Sequence, residues 1–135
     1  MPQSHDPLDE VFIKPEIVEG EQRELLAQLI FPYASINPDT GEVHLKEPAD
    51  DLTAKQRILV YLLCRLALST RPNTSFAATA SPKEIEKALM SPGGTIRPKL
   101  LELLDERIIM RSRSGEGYLV HAGNLRRAKL LLMPD

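Results

Sequence analysis

Five polar and basic side chains in the second half of the chain have the types and the spacing to contact a nucleic acid. They are Thr95, Arg97, Lys99, Arg111 and Arg113. The first three alternate at the predicted start of a helix, where unpaired backbone N–H groups and the helix dipole favour phosphate. The last two alternate before a glycine-containing turn, and their guanidinium groups donate readily to phosphate oxygens. This pattern predicts anion binding, and an arginine at a helix start can also reach a guanine edge.

Residues for catalysis or metal binding do not form a recognisable set. The three histidines, His5, His44 and His121, fall in three separate predicted elements, and no triad or metal-ligand spacing is evident. Gly93 and Gly94 precede a predicted helix, but the lysine and the serine or threonine of a phosphate-binding loop are missing. We therefore expect no enzyme activity, no cofactor and no metal ion.

The composition predicts one soluble domain. The chain has 135 residues, of which 42% are hydrophobic and 27% are charged. No apolar run approaches the length of about 18 residues that a membrane span needs, and the acidic start lacks the features of a secretory signal. Cys64 is the only cysteine, which rules out an internal disulfide and predicts a buried thiol. These features predict a cytoplasmic protein without membrane contact.

Charge is distributed unevenly along the chain. Residues 1–50 have a balance of −8, whereas residues 51–80 and 81–135 each have a balance of +3, within a net charge of −2. Such asymmetry is typical of an acidic arm beside a nucleic-acid-binding body, and equally of ordinary solvated faces. The sequence leaves both interpretations open.

The elements that must position the basic side chains are mainly helical. Apolar spacing predicts a first helix over about Glu21–Ile30, ended by Pro32, and then a hairpin whose turn uses Gly41 at a positive φ. Thr53 is the predicted N-cap of the longest helix, whose apolar positions cover more than one face. That helix is therefore either central in the domain or part of a dimer seam.

Two further helices precede the basic turn. Ser81, Pro82 and Glu84 have the spacing of an N-cap, a first helical residue and a capping-box partner. In the next helix Thr95 is the predicted N-cap, which places Pro98 in the first turn, with Gly93 and Gly94 forming the tight turn before it. The predicted buried positions are Ile96, Leu100, Leu103 and Leu104, and the predicted exposed positions are Pro98, Leu101, Glu102 and Asp105.

The last third of the chain predicts a hairpin and a final helix. The apolar runs RIIMRSR and GYLVHA are joined by Ser114–Gly117, and Asn124 is a predicted cap for a helix over Leu125–Met133. The segment TRPNTSFAATA, which precedes Ser81, is predicted to be a loop. The predicted organisation is a flexible acidic arm over residues 1–19, a helix and β-hairpin extension over 20–50, and a domain with a C-terminal helix over 51–135.

From Leu52 to about Val120 the chain resembles the winged helix-turn-helix superfamily. SPKEIEKAL resembles its second helix, GGTIRPKLLELLDERII its recognition helix, and MRSRSGEGYLV its wing; the glycine usual before the first wing strand is Arg107 here. The resemblance implies an α+β, mainly α fold with a winged-helix core. It also implies double-stranded DNA as a partner, although domains of this architecture can bind protein alone.

The sequence thus predicts a small winged-helix DNA-binding protein, a transcriptional regulator or accessory factor, that forms a homodimer to bind paired half-sites. The competing hypothesis is a winged-helix module that contacts only a protein partner. Its contact surfaces would be the acidic arm and the apolar side chains of Leu101 and Leu130–Met133.

Overall fold

The computed structural model describes residues 20–71 and 76–133, and this part of the chain is mainly helical with two small antiparallel hairpins. The α+β, mainly α prediction is therefore confirmed. The predicted flexible arm over residues 1–19 lies outside the described residues. The helices are α1 (Glu21–Ile30), α2 (Ala54–Ser69), α3 (Pro82–Leu89), α4 (Gly93–Asp105) and α5 (Leu125–Leu132); the strands are β1 (Ala34–Ile36), β2 (Val43–Leu45), β3 (Met110–Arg111) and β4 (Tyr118–Leu119).

Helix α2 is the centre of the hydrophobic core. It packs against α1, α3, α4, α5 and both hairpins, and nine of its residues are buried within the single chain. The helix is therefore central in the domain, which is the first of the two predicted alternatives. Thr53 caps the helix through a reciprocal pair of hydrogen bonds with Gln56, as predicted for its N-cap.

The N-terminal elements share this core. Leu26, Leu29 and Ile30 of α1 and Ala34 of β1 belong to the same buried cluster as α2. The β1–β2 hairpin pairs Ala34 with Leu45 and Ile36 with Val43. Gly41 in its turn has φ +78°, as predicted, and the Phe76 ring lies where a Cβ at that position would stand.

Helices α3 and α4 are joined by the three residues Met90–Pro92. Ser81 caps α3 through the predicted capping box with Glu84. The chain then reverses at Met90, whose backbone is left-handed with φ +53°. A residue in this conformation at a helix end lets the following N–H groups satisfy the last carbonyls.

The predicted start of α4 is wrong. Pro92, not Thr95, is the N-cap, and the backbone N–H groups of Thr95 and Ile96 both donate to the Pro92 carbonyl, at 3.0 and 3.1 Å. Thr95 is therefore the third helical residue and Pro98 the sixth, beyond the first turn. The tight turn is formed by Met90 and Pro92 instead, and Gly93 and Gly94 are the first two residues of α4.

The end of α4 and the β3–β4 hairpin follow closely. Ile108 and Arg107 donate from their backbone N–H groups to the carbonyls of Leu103 and Leu104, and Arg107 itself has φ +60°. In the hairpin, Met110 pairs with Leu119 and Arg111 with Tyr118.

Ala80, in the segment predicted to be a loop, forms an additional antiparallel bridge with Tyr118. Two backbone hydrogen bonds of 2.9 and 2.8 Å join the two residues. This bridge ties the residues just before α3 to the outer edge of the β3–β4 hairpin, so the segment from Phe76 to Ala80 is not wholly a loop.

Helix α5 closes the core by packing against α1 and α2. Asn124 occupies its N-cap position, but the Asn124 side chain makes no cap hydrogen bond, contrary to the prediction. The side-chain bond is made one turn earlier, where Nδ1 of His121 accepts from the Gly123 N–H at 3.0 Å. Leu132, predicted to belong to an exposed apolar surface, is buried; Leu130 is exposed.

Candidate nucleic-acid interface

The first turn of α4 is open to solvent. Gly94, Thr95 and Arg97 are all exposed, and the space in front of Gly94 is empty to at least 4 Å. The first N–H groups of a helix have no intrahelical acceptor, and the macrodipole makes that end positive. Thr95 is the third helical residue and lies within this turn, whereas Arg97, the fifth, follows it. The Glu86 carboxylate lies close to Gly93, 3.1 Å from where a Cβ of that residue would stand, so the part of the turn that is open to an anion such as a phosphate is at Gly94 and Thr95.

Lys99 is less available than its sequence position predicts. Its side chain is half-buried, and its ammonium donates to Glu102 at 3.0 Å, one turn further along α4. This hydrogen bond is the main reason why the pKa of Glu102 is lowered, with a further contribution from the charge of Lys55 at 3.6 Å. Glu102 therefore stays ionised and keeps Lys99 partly neutralised.

A second ion pair joins the end of α4 to the start of α2. Lys55 of α2 donates to Glu106, and this hydrogen bond is the main cause of its raised pKa. The Lys55 side chain is only 19% exposed, so its ammonium is held between Glu106 and Glu102. The pair holds the end of α4 against α2. Because Lys55 is occupied by these two carboxylates, its charge is not presented on the exposed face of α4.

The two arginines of the β3–β4 hairpin are both exposed but occupy different places. Arg111 is on β3, with its guanidinium carbon 5.9 Å from the centre of the Tyr118 ring. Arg113 lies in the turn rather than on the strand. The turn is closed by a backbone bond from Ser112 to Gly117, which lets the arginines project from a small, exposed loop.

The outward face of α4 also has acidic and apolar groups. Pro98, Leu101, Glu102 and Asp105 are exposed, as predicted, and together with Leu104 they line a shallow depression. Leu101 is 55% exposed, which is unusual for a leucine in the middle of a helix. Beyond its first turn, α4 therefore presents a surface suited to protein as much as to DNA.

The structure places the five predicted site residues on two elements. Thr95, Arg97 and Lys99 share the first half of α4, and Arg111 and Arg113 share the β3–β4 hairpin, which begins after the four residues that follow α4. Sequence reasoning missed the pairing of Lys99 with Glu102, although their i,i+3 spacing on one helix is a local signal for it. It also missed the contacts of Lys55 with Glu102 and Glu106, which join distant parts of the chain.

The described part of the chain offers little support for a metal site or a cysteine nucleophile. Within residues 20–71 and 76–133, no group of three or more His, Cys, Asp or Glu side chains could hold a metal ion. Cys64 is fully buried, and burial raises the pKa of its thiol to about 12, so it is no nucleophile near neutral pH. None of the described helices is long and apolar enough to cross a membrane.

One pocket was not foreseen from the sequence. It lies between α1, the β1–β2 hairpin and the end of α2, and we call it the α1 pocket. Its lining comes from three elements that are distant in sequence, so no local pattern could have predicted it. Arg23 and Arg71 are its charged residues; the other lining residues are Leu26, Ala27, Ile30, Ile36, Pro38, Ala67, Leu68 and Thr70.

Comparisons of the chain with protein-family models, with curated proteins and with solved structures give no significant match.

Proposed function

We propose that the chain is a winged-helix protein that binds double-stranded DNA, as a small transcriptional regulator or accessory factor. The order of α2, α3, a three-residue turn, α4 and a β-hairpin supports a winged-helix core, with α4 as recognition helix and the β3–β4 hairpin as wing. The bridge from Ala80 to Tyr118 adds support, since it extends the wing by one short strand.

The observation on which this function rests is the exposed first turn of α4. Recognition helices contact base edges with residues near their N-termini. Thr95 is exposed within that turn, and Arg97 is exposed just after it, at the fifth helical position. In this proposal Arg97 donates to a guanine edge and Thr95 to a phosphate or base, while Lys99 contributes only if it leaves Glu102.

The wing supplies phosphate contacts in this proposal. Arg111 and Arg113 are exposed on a short hairpin whose turn contains Gly115 at φ +77°, a geometry better suited to backbone phosphates than to fixed base contacts. The bound form would be a homodimer, because paired half-sites are the usual target of such domains.

Titration of duplex DNA at several salt concentrations tests the proposal. We expect Arg111→Ala combined with Arg113→Ala to weaken binding to random and preferred sites alike, and to flatten the log–log salt slope by about one to two units. Arg97→Ala should instead relax preference at one base pair, by about 1–3 kcal/mol. The matched control is Arg126→Ala with Lys129→Ala, which removes the same charge from the exposed side of α5.

The outcomes separate local contacts from net charge. Equal losses of DNA affinity in the wing variant and the α5 control would mean that binding depends on total charge and not on contacts of the wing. Unchanged affinity and slope in the wing variant, with its thermal transition intact, would remove the wing from the interface.

A protein-interaction module is the second candidate, and the depression around Leu101 favours it. An exposed leucine close to Glu102 and Asp105 suits a partner with apolar and basic side chains. In that case the chain should capture a partner from nuclease-treated lysate, and Leu101→Glu should abolish the capture. Leu130→Glu, which alters an exposed leucine on α5, should leave it unchanged. Loss of the capture on nuclease treatment would favour DNA instead.

A further inference from the structure

A groove with a volume of about 380 Å³ lies between the end of α4 and α5, and we call it the α5 groove. The first turn of α2 holds both of its sides. On the α4 side Lys55 donates to Glu106, and on the α5 side Gln56 donates from Nε2 to the Leu131 carbonyl at 2.8 Å. The groove is therefore part of the folded chain and does not have to form on binding. Its lining residues are Glu106, Ile108, Arg127, Leu130 and Leu131.

The α5 side of this groove presents an apolar group and a cation next to each other. Leu130 is 71% exposed, more than any other leucine of the described residues. Arg127 lies three residues earlier on α5, so the two side chains share one face of the helix. Arg127 is exposed, and no hydrogen bond or ion pair joins it to another residue within 20–71 and 76–133. Both groups are available to a partner.

The α4 side of the groove has the opposite charge. Glu106 is 41% exposed, and its ion pair in the described part of the chain is with Lys55 through Oε1. A carboxylate has two acceptor oxygens, so Oε2 can accept from a second cation. Ile108 adds apolar surface on this side, directly after the end of α4. The groove thus has a cation and a leucine on one side, and a carboxylate and an isoleucine on the other.

Such a surface is complementary to itself. A twofold axis that runs along the groove brings the α5 side of each copy opposite the α4 side of the other. We propose that two copies of the chain form a homodimer through the α5 groove. Leu130 of each copy enters the groove of the other beside the partner's Ile108, and Arg127 donates to the partner's Glu106.

This interface takes the homodimer from the proposed function and gives it a surface. It lies at the C-terminal end of α4, whereas the exposed first turn lies at the other end of a helix about 20 Å long. None of the predicted DNA-contacting residues of α4 and the wing lines the α5 groove. Dimer contact and DNA contact therefore do not compete, and either one can fail while the other holds.

Sedimentation equilibrium without DNA tests the dimer. We expect the mass of the unmodified chain to rise with concentration from 15.1 kDa towards twice that value. Leu130→Glu should raise the dimer dissociation constant at least about tenfold, because it places a carboxylate in each of the two apolar contacts. Leu101→Glu is the matched control, since it alters an exposed leucine outside the α5 groove, and it should leave the dissociation constant unchanged.

Mixing two charge variants tests the pairing across the axis. Arg127→Glu and Glu106→Arg should each weaken self-association, because each one sets like charges opposite each other in both contacts. A mixture of the two should recover a dimer, since each variant then meets the opposite charge of the other. An ion pair within one chain cannot produce this recovery.

Three results would overturn the proposal. They are a mass of 15.1 kDa for the unmodified chain at every measurable concentration, a dimer unaffected by Leu130→Glu, and a dimer lost equally in Leu101→Glu. Failure of the mixture to recover would overturn the contact of Arg127 with the partner's Glu106. Leu130 is exposed, so its variant keeps the test decisive even if thermal melting shows that Glu106→Arg, which loses the bond to Lys55, does not fold.

Discussion

At the residue scale, two side chains occupy backbone conformations that usually belong to glycine. Met90 ends α3 at φ +53° and Arg107 ends α4 at φ +60°. At both ends the next residue donates its N–H to a carbonyl five residues back, Ser91 to Glu86 and Ile108 to Leu103. Arg107 therefore forms the same turn that a glycine would form at this position, but its backbone is strained.

Replacing Arg107 with glycine should stabilise the protein. A non-glycine residue in the left-handed region costs about 1–3 kcal/mol, partly offset by the greater freedom that glycine has in the unfolded chain. We expect Arg107→Gly to raise the free energy of unfolding by about 0.5–1 kcal/mol in urea titrations.

The matched control for this prediction is Arg113→Gly. Arg113 is also exposed, and it is not among the described residues that have a positive φ. It should lower the free energy of unfolding or leave it unchanged. Equal destabilisation by both substitutions would show that the Arg107 backbone is not strained.

At the element scale, helix starts were predictable where the signal was local. Ser81 with Glu84 forms its capping box as the spacing predicts. The start of α4 was not predictable in this way. Glycine pairs usually break helices, but here Met90 makes the chain reversal between α3 and α4, and Gly93 and Gly94 are helical. The bridge of Ala80 to Tyr118 was also missed, since one residue of strand leaves no periodicity to detect.

The corrected start of α4 changes the expected effect of Pro98. At the sixth helical position its ring opposes the Gly94 carbonyl, four residues back, and removes one intrahelical hydrogen bond. We expect Pro98→Ala to raise the free energy of unfolding by about 1 kcal/mol or more, since it restores that bond. Pro82→Ala is the control. Pro82 is the first residue of α3, where its missing N–H has no intrahelical acceptor, so this substitution should not raise the free energy of unfolding. A loss of stability in Pro98→Ala would place the proline in the first turn after all.

The ion pairs between α2 and α4 predict a dependence of stability on pH. The lowered pKa of Glu102 means that its contribution is present above its unfolded pKa and is lost as pH falls through the folded one. The raised pKa of Lys55 means that its contribution is present below its unfolded value of 10.5 and is lost as pH rises through the folded one. Stabilisation by the cluster should therefore be constant around neutral pH and disappear at both extremes.

Lys55→Met measures this contribution. We expect a loss of about 0.5–1 kcal/mol at neutral pH, a small value because Glu106 is 41% exposed. The loss should decrease in acid, as pH falls through the lowered pKa of Glu102. Lys129→Met on α5 is the control for removal of one positive charge, and an identical pH profile in the two variants would contradict the role of the cluster.

At the scale of the whole molecule, one core joins the predicted helix and hairpin extension, residues 20–50, to the described residues that follow it. The buried residues of α1 and β1 belong to the same cluster as those of α2, α4 and α5. Apolar periodicity predicted the buried faces of α1, α2 and α4, but no local pattern shows that α1 packs on α5. For the same reason the contacts of Lys55 on α2 with Glu102 and Glu106 of α4 were not predicted.

Because the described core lies between Leu26 and Leu132, folding should not depend on the start of the chain. Deleting residues 2–14 should leave a single cooperative thermal transition, since the deleted segment offers few apolar residues to bury and contains three prolines, counting Pro2, Pro7 and the neighbouring Pro15. Loss of cooperativity in this variant would show that the segment is part of the core.

The proposed function depends on whether the whole molecule binds duplex DNA through a few exposed cations, despite its net charge of −2. The most direct measurement is the affinity of the unmodified chain for random-sequence duplex as a function of salt concentration. Contacts from two to four of the cations Arg97, Lys99, Arg111 and Arg113 predict a log–log slope of about −2 to −4, since each neutralised phosphate contributes about −0.9. A slope near zero, or no binding at low salt, would contradict the DNA-binding function and leave the surface around Leu101 as the better candidate.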